Sequence, residues 1–88
     1  MKFQIYSVYD SKAESHLLPY HTINQALAVR HFQDACSDPD HSFHKHPEDY
    51  SLFHLGSYDD VSAKFDNLKA PLHIADARQF TNGVLIDA

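Results

Sequence analysis

The sequence contains no tryptophan, one cysteine and only two glycines among its 88 residues, and each shortage excludes a class of protein. A single cysteine, Cys36, cannot form an internal disulfide, and this is the usual state of a chain in a reducing cytosol. With so few glycines the chain lacks a glycine-rich loop of the kind that binds phosphate groups. No apolar run approaches the roughly 20 residues of a membrane-spanning helix, so we expect no association with a membrane.

Basic residues are also scarce. Seven lysines and arginines stand against twelve acidic residues, which gives a formal net charge of -5 at pH 7. The total charge therefore opposes tight binding to duplex DNA. The eight histidines modify this picture, because an unperturbed imidazole has a pKa near ~6.5 and gains charge just below neutral pH. The surface can thus pass from acidic to nearly neutral over a small pH interval.

The length predicts a single domain, residues 1–88, that buries roughly 60–65% of its unfolded surface. Met1 and Lys2 lead directly into an apolar segment, so we expect no signal peptide. A core this small leaves the stability of a monomer marginal. We therefore expect a homo-oligomer, most simply a two-fold dimer.

Two stretches have the β-branched and aromatic composition of strands. Residues 3–9 carry apolar side chains on both faces, which predicts a central strand, and residues 50–58 predict a second strand. Residues 16–21 are expected to be extended. Pro19 favours an edge strand or an irregular approach to the following helix.

The C-terminal third gives a weaker pattern. Residues 57–62 have turn chemistry, so residues 63–68 are expected to return as a short antiparallel strand. Residues 72–77 are expected to form a strand or a loop packed on the sheet. A turn is predicted at residues 81–83, and a last strand or an apolar tail at residues 84–86.

One helix is predicted from a capping box, with Thr22 as the cap and Gln25 three residues later, and it should run to about Ser37. Its apolar residues share one face at helical spacing. They are Ala28, Val29, Phe32, Ala35 and Cys36. Ile23 and Leu27 lie off this stripe, where they can contact either residues 17–18 or a second subunit. The predicted fold class is α+β, a small antiparallel sheet with one main helix packed on one face.

Residues 37–49 form a loop rich in histidine and aspartate. The Asp38-Pro39 pair ends the helix, and His46-Pro47-Glu48-Asp49 predicts a single helical turn. Imidazoles and carboxylates are metal ligands, but a structural zinc usually needs four of them, so we predict no metal site and no cofactor. Cys36 has no catalytic signature around it and is predicted to be a core residue, so we expect no enzyme.

The same loop is where lysine, histidine and aromatic residues lie together. Proteins that bind single strands combine cations with aromatic side chains, and each stacked base contributes ~1–3 kcal/mol. In the alternative interpretation the aromatic residues only build the core of a small domain. The candidate nucleic-acid-binding residues are Phe43 or Tyr50 as stacking platform, with His44, Lys45, His46 and Lys12 as cations.

The most specific part of the sequence is Lys-His-Pro-Glu-Asp-Tyr at residues 45–50, followed by Leu-Phe at 52–53 and Leu-Gly at 55–56. Together with the opening at residues 5–14, this stretch resembles the small non-structural protein of gokushoviruses, the single-stranded-DNA phages of Microviridae. The resemblance covers most of the chain to about Asp60 and is weaker beyond it.

The resemblance implies a role in the phage genome cycle in the cytoplasm of the bacterial host. The family is thought to bind DNA and to assist the change from duplex replication to single-strand synthesis and packaging. We therefore expect a non-enzymatic protein with single-stranded DNA as its partner. The alternative is a protein-interaction module that acts on a host or phage replication protein without binding DNA.

Overall fold

The structure, a computed structural model, describes residues 1–86 and the side chains through Thr81. Within this range it contains a five-stranded sheet and three helices. The strands are β1 (Lys2–Asp10), β2 (Ser15–His16), β3 (Tyr20–Thr22), β4 (Tyr50–Asp59) and β5 (Lys64–Asp76). The helices are α1 (Gln25–Ser37), α2 (Ser42–Lys45) and α3 (Ala77–Ile86), and a 3-10 turn, Pro47–Asp49, precedes β4.

The sheet is antiparallel throughout, with β1 and β4 at its centre. The strand order is β2-β1-β4-β5, and β3 pairs with the same side of β1 as β2 does, further along the strand. β1 and β4 pair from Lys2 opposite Asp59 to Asp10 opposite Tyr50. β5 therefore forms one edge of the sheet. The predicted central strand and its partner are confirmed, as is the irregular chain around Pro19 between β2 and β3.

Helix α1 begins at Gln25, but its cap is not the predicted Thr22. Asn24 has extended backbone angles, and its side chain accepts a hydrogen bond from the Leu27 backbone N–H at 3.0 Å. The Thr22 hydroxyl instead donates to the Asn24 carbonyl at 2.6 Å. Asparagine is as good a cap as threonine, and the cap lies two residues later than the capping-box pattern predicts.

The core lies between α1 and one face of the sheet. Ala28, Phe32 and Cys36 on the helix are buried, and they meet Tyr6 and Leu52 from the two central strands. Val29 and Ala35 are half-buried beside them. The predicted stripe is thus confirmed, and the protein is an α+β fold with its main helix packed on the sheet.

The histidine-rich loop is more ordered than predicted. Its middle forms helix α2, whose N-terminus is capped by the His41 side chain accepting from the Phe43 N–H at 3.1 Å. The predicted single turn at the His46-Pro47 step is confirmed as the 3-10 turn Pro47–Asp49. Proline at its start needs no backbone hydrogen bond, which suits the first position of a helical turn.

The C-terminal part was predicted least well. All but one residue of each of the segments 63–68 and 72–77 lies in the single strand β5, Lys64–Asp76, whose pairing with β4 shifts register twice. The turn at 81–83 and the strand at 84–86 are wrong, because helix α3 runs through both. The Gln79 side chain accepts from the Asp76 backbone N–H, which is half of a capping box at the start of this helix. Ala77 and Phe80 then join the core.

Gly56 lies where the backbone of β5 comes close to β4. A Cβ atom at this position would overlap the Asp66 carbonyl oxygen and lie 2.8 Å from the Asn67 Cα. We expect Gly56→Ala to lower the free energy of unfolding by about 1–3 kcal/mol, because the β5 backbone must move to admit a methyl group. Urea denaturation measures this, with Ser57→Ala on the same strand as control. Equal stability of the two variants would contradict the close approach.

Candidate nucleic-acid interface

The structure places the predicted loop at one end of the sheet, beside the turn that carries Lys12. The Ser11 backbone N–H donates to the Asp49 carbonyl at 2.9 Å, which joins the β1–β2 turn to the 3-10 turn. Lys12, Lys45 and His46 are all exposed at this end. Three of the predicted cations are therefore available to solvent at the same end of the sheet.

The predicted stacking platform is corrected. Phe43 is only 7% exposed, because α2 turns its ring into the core against Phe32, with a centroid distance of 5.5 Å. Tyr50 is half-buried and packs on Phe43 at 4.6 Å. The buried Phe43 ring is closed to a base, and Tyr50 presents only part of its ring.

His44 has a structural contact within the loop. Its Nδ1 lies 2.9 Å from the carbonyl oxygen of Cys36, near the C-terminal end of α1. The last carbonyls of a helix lack backbone partners, and an imidazole N–H can satisfy one of them. His44 therefore holds the loop against the helix as well as lying exposed at its surface.

One group of metal-ligand residues is close together in the described part of the chain. Ligand atoms of His46, Glu48 and Asp49 lie within 4.8 Å of one another. They are three rather than the four ligands that a structural zinc requires, and two of them are exposed. The histidines at 41 and 44 do not join this group, because each makes the contact described above.

A second surface, which the sequence did not single out, is the sheet face opposite α1, here called the open face. Tyr6, Val8 and Leu52 point toward the helix, so the alternating residues of β1 and β4 point the other way. The open face carries Phe3, Ile5, Ser7, Tyr9, Ser51, Phe53, Tyr58, Phe65 and His73. The described helices α1 and α3 pack on the opposite face, through Phe32 and Phe80.

Four rings form a continuous row across the open face. The ring centroids of Tyr9 and His16 are 4.9 Å apart, those of His16 and Phe53 are 5.5 Å apart, and those of Phe53 and His73 are 5.5 Å apart. Tyr9 and Phe53 are half-buried, whereas the two histidines are exposed. These four residues, Tyr9, His16, Phe53 and His73, are called the aromatic row.

Polar side chains hold the two histidines of the row in place. Ser7 Oγ lies 2.7 Å from His16 Nδ1. His73 Nε2 donates to the Asp76 carboxylate at 2.8 Å, and the Ser51 hydroxyl donates to the same oxygen at 2.7 Å. The Ser51 and His73 hydrogen bonds lower the pKa of Asp76 below its usual value. Asp76 is therefore charged at neutral pH and fixes the orientation of His73.

Further along the same face lies an apolar groove of ≈ 460 Å³. Phe3, Tyr58 and Phe65 line it from three adjacent strands, and the Tyr58 and Phe65 centroids are 4.8 Å apart. The ring of His21 packs edge-on against Phe3 at 5.5 Å. The open face thus presents aromatic side chains along much of its length.

The two side chains that could serve as nucleophiles, Ser7 and Cys36, are buried. Ser7, which contacts His16, is 1% exposed, so its hydroxyl cannot attack a bound substrate. The Cys36 side chain is 0% exposed, and burial raises the pKa of its thiol to about 11. A protonated, enclosed thiol is a poor nucleophile.

The fold and this surface define a small α+β protein with an uncovered aromatic sheet face beside a histidine-rich loop. A family described as Phage ORF5 protein matches residues 3–80, and the chain belongs to this family. Protein ORF5 of Chlamydia phage 1 is 33% identical over 64 residues, which cover 68% of this chain and 67% of the relative. The resemblance to a small Microviridae phage protein is thereby confirmed.

No solved structure matches the chain. Among the described residues, no helix has the length and apolar character needed to cross a membrane.

Proposed function

We propose that this phage protein binds single-stranded DNA on its open face and acts without catalysis. It would assist synthesis or packaging of the single-stranded genome in the cytoplasm of the bacterial host. The observation that carries the proposal is the aromatic row, which lies on a sheet face that the described helices leave uncovered. Sheet faces with exposed aromatic side chains are a recurrent platform for unpaired bases.

The row suits single strands better than duplexes. A base in a single strand can turn its flat face toward a ring, whereas the bases of a duplex are stacked on one another. Duplex binding depends mainly on many phosphate contacts, and a chain of net charge -5 has few basic groups to supply them. Stacking rather than total charge must therefore provide most of the affinity.

The exposed cations at the loop end of the sheet supply the electrostatic contribution to the affinity for DNA. Lys12 and Lys45 can contact the phosphates of a strand that leaves the row at this end of the sheet. Glu48 and Asp49 lie beside them and reduce the local potential. We therefore expect moderate affinity that depends on salt and on pH.

The proposal is tested by fluorescence anisotropy with a labelled oligonucleotide, as a single strand and as a duplex. We expect tighter binding of the single strand, with a log–log salt slope of about -0.7 per phosphate neutralised. Affinity should rise from pH 7.5 to pH 6, because histidine side chains ordinarily gain charge near pH ~6.5. Equal binding of both forms, or none at low salt and pH 6, would contradict the proposal.

A second candidate is the protein-interaction module, and one observation favours it. Large apolar side chains are exposed along the β4–β5 hairpin, with Val61 at 85%, Phe65 at 65% and Leu72 at 55%. Contiguous exposed apolar side chains mark protein contacts. If the folded protein binds no DNA at low salt and pH 6, this second function becomes the proposal. Its partner would then be a host or phage replication protein.

A further inference from the structure

The outer edge of β5 is the longest exposed element of the described chain. β5 has 13 residues, and the first ten of them, residues 64–73, are exposed. It pairs with β4 on one side only and ends the sheet on the other. Such an edge presents a row of backbone N–H and C=O groups that can pair with another strand.

The middle of β5 lacks partners on its inner side as well. Pairing with β4 joins Asn67 to Gly56 and Leu72 to His54, and residues 68–71 between them have no partner in the ladder. Leu68, the first residue of this gap, is 39% exposed, and Leu72, just beyond its end, is 55% exposed. Apolar side chains on a half-paired strand favour a contact that covers them.

We propose that β5 pairs antiparallel with β5 of a second copy of this chain, across a two-fold axis at Ala70. Ala70 is the midpoint of Lys64–Asp76, and residues 68–71 around it are an irregularity in the pairing with β4. This register sets residues 64–67 opposite residues 73–76 of the second copy, so the regularly paired ends of β5 face each other. Leu68 then lies opposite Leu72 of the partner subunit, and Lys64 opposite Asp76 of the partner subunit. Each of these pairs occurs twice.

The sequence of β5 supports this register over its neighbours. A two-fold axis at Asp66 or at Lys69 would place a charged residue opposite its own copy, whereas the axis at Ala70 places a small neutral residue there. Opposite charges across a strand pair stabilise a sheet and like charges destabilise it. A residue on the axis meets itself, so a small side chain also avoids a steric conflict.

Lysine and proline commonly protect sheet edges, and β5 has Lys69 and Pro71 near its centre. Pro71 has no N–H, so a symmetric pairing loses a backbone hydrogen bond on either side of the axis. The contact at the centre then depends on the leucine pairs. For this reason the leucines, rather than the backbone, are the positions to test.

Pairing of this kind would double the proposed DNA platform. The axis is perpendicular to the sheet, so the open faces of both copies lie on the same side. Phe65 of one copy would then lie opposite Ala75 of the partner subunit, so the groove of one copy comes next to the part of β5 that carries His73 of the partner subunit, at the end of its aromatic row. This consequence rests on the proposed function, whereas the dimer itself does not.

The register is tested by cysteine cross-linking of the full chain. Ala70→Cys places a thiol opposite its own copy, at a separation that a disulfide can span. We expect most of this variant to form a covalent dimer under mild oxidation. Val61→Cys is 85% exposed but lies outside β5, and it should form little covalent dimer. The enclosed Cys36 makes the parent chain a second control.

Sedimentation equilibrium tests the interface without cysteine chemistry. The parent should have twice the monomer mass of 10.1 kDa at tens of micromolar, and Leu72→Asp should return it to the monomer. Leu18→Asp, at a site 90% exposed outside β5, is the matched control and should remain a dimer. Circular dichroism checks that each variant is folded, and Leu68→Asp replaces Leu72→Asp if that variant unfolds.

Several outcomes would overturn the interface. They are a monomeric parent, a folded Leu72→Asp or Leu68→Asp dimer, and equal cross-linking of Val61→Cys and Ala70→Cys. A monomeric parent that joins a different protein through β5 would assign the edge to that protein instead. A dimer that binds no DNA refutes the DNA proposal alone, and a monomer that binds DNA refutes the interface alone.

Discussion

Replacing Phe32 with alanine is expected to lower the free energy of unfolding by about 3–5 kcal/mol. Phe32 is 2% exposed, and its ring packs against Phe43 at 5.5 Å and Phe80 at 6.0 Å. These three rings belong to α1, α2 and α3. Truncation therefore leaves a cavity where all three helices meet. A domain of this size has about 5–10 kcal/mol of total stability, so much of it depends on this ring.

Urea denaturation followed by circular dichroism measures the loss, at one protein concentration for all variants. Val61→Ala is the control, because Val61 is 85% exposed and its truncation should change stability by no more than about 0.5 kcal/mol. A midpoint for Phe32→Ala equal to that of the control would mean that α1 does not pack on the sheet.

Much of the fold was predictable because its signals are local. The apolar stripe of α1 and the composition of β1 and β4 each lie within a short segment, and periodicity finds such segments. The cap of α1 was misplaced because Thr22 and Asn24 are both good caps. Only the extended backbone of Asn24 decides between them.

The end of the chain was harder to predict because its pattern is ambiguous. Pro71 and the turn residues near Asn82 suggested breaks, yet β5 continues past Pro71 as an edge strand and α3 continues past Asn82. Proline is tolerated there because an edge strand has a free side. The Asp76-x-x-Gln79 spacing is typical of the start of a helix. Gly83 instead favours a turn, and the sequence prediction followed the glycine.

Some residues of the candidate site were likewise predictable from local sequence, and others depend on contacts between distant segments. The cations of the loop could be found from the sequence, since Lys45 and His46 are adjacent and polar. The buried position of Phe43 could not, because it depends on α2 turning the ring toward Phe32. The aromatic row depends on pairing between distant strands. His16 and His73 are 57 positions apart in sequence (73 minus 16), and both contact Phe53.

The largest expected effect on function is that of removing the aromatic row. Tyr9→Leu combined with Phe53→Leu keeps apolar side chains on the open face but removes two rings on which bases would stack. Each stacked base contributes ~1–3 kcal/mol, so the loss of two stacking rings should lower the affinity for single-stranded DNA by about 30-fold or more. The salt slope should hardly change, because no phosphate contact is removed.

The matched control is Lys45→Ala with His46→Ala at the exposed end of the loop, and both variants are compared with the parent by anisotropy after their melting curves are recorded. The loop variant should lose less affinity and should have a shallower salt slope, because it removes charge and leaves the rings. The opposite pattern, with the row variant binding like the parent and the loop variant losing most of its affinity, would assign the DNA site to the loop. Comparing the two variants distinguishes the aromatic row from the loop as the DNA site, because the first variant changes stacking and the second changes charge.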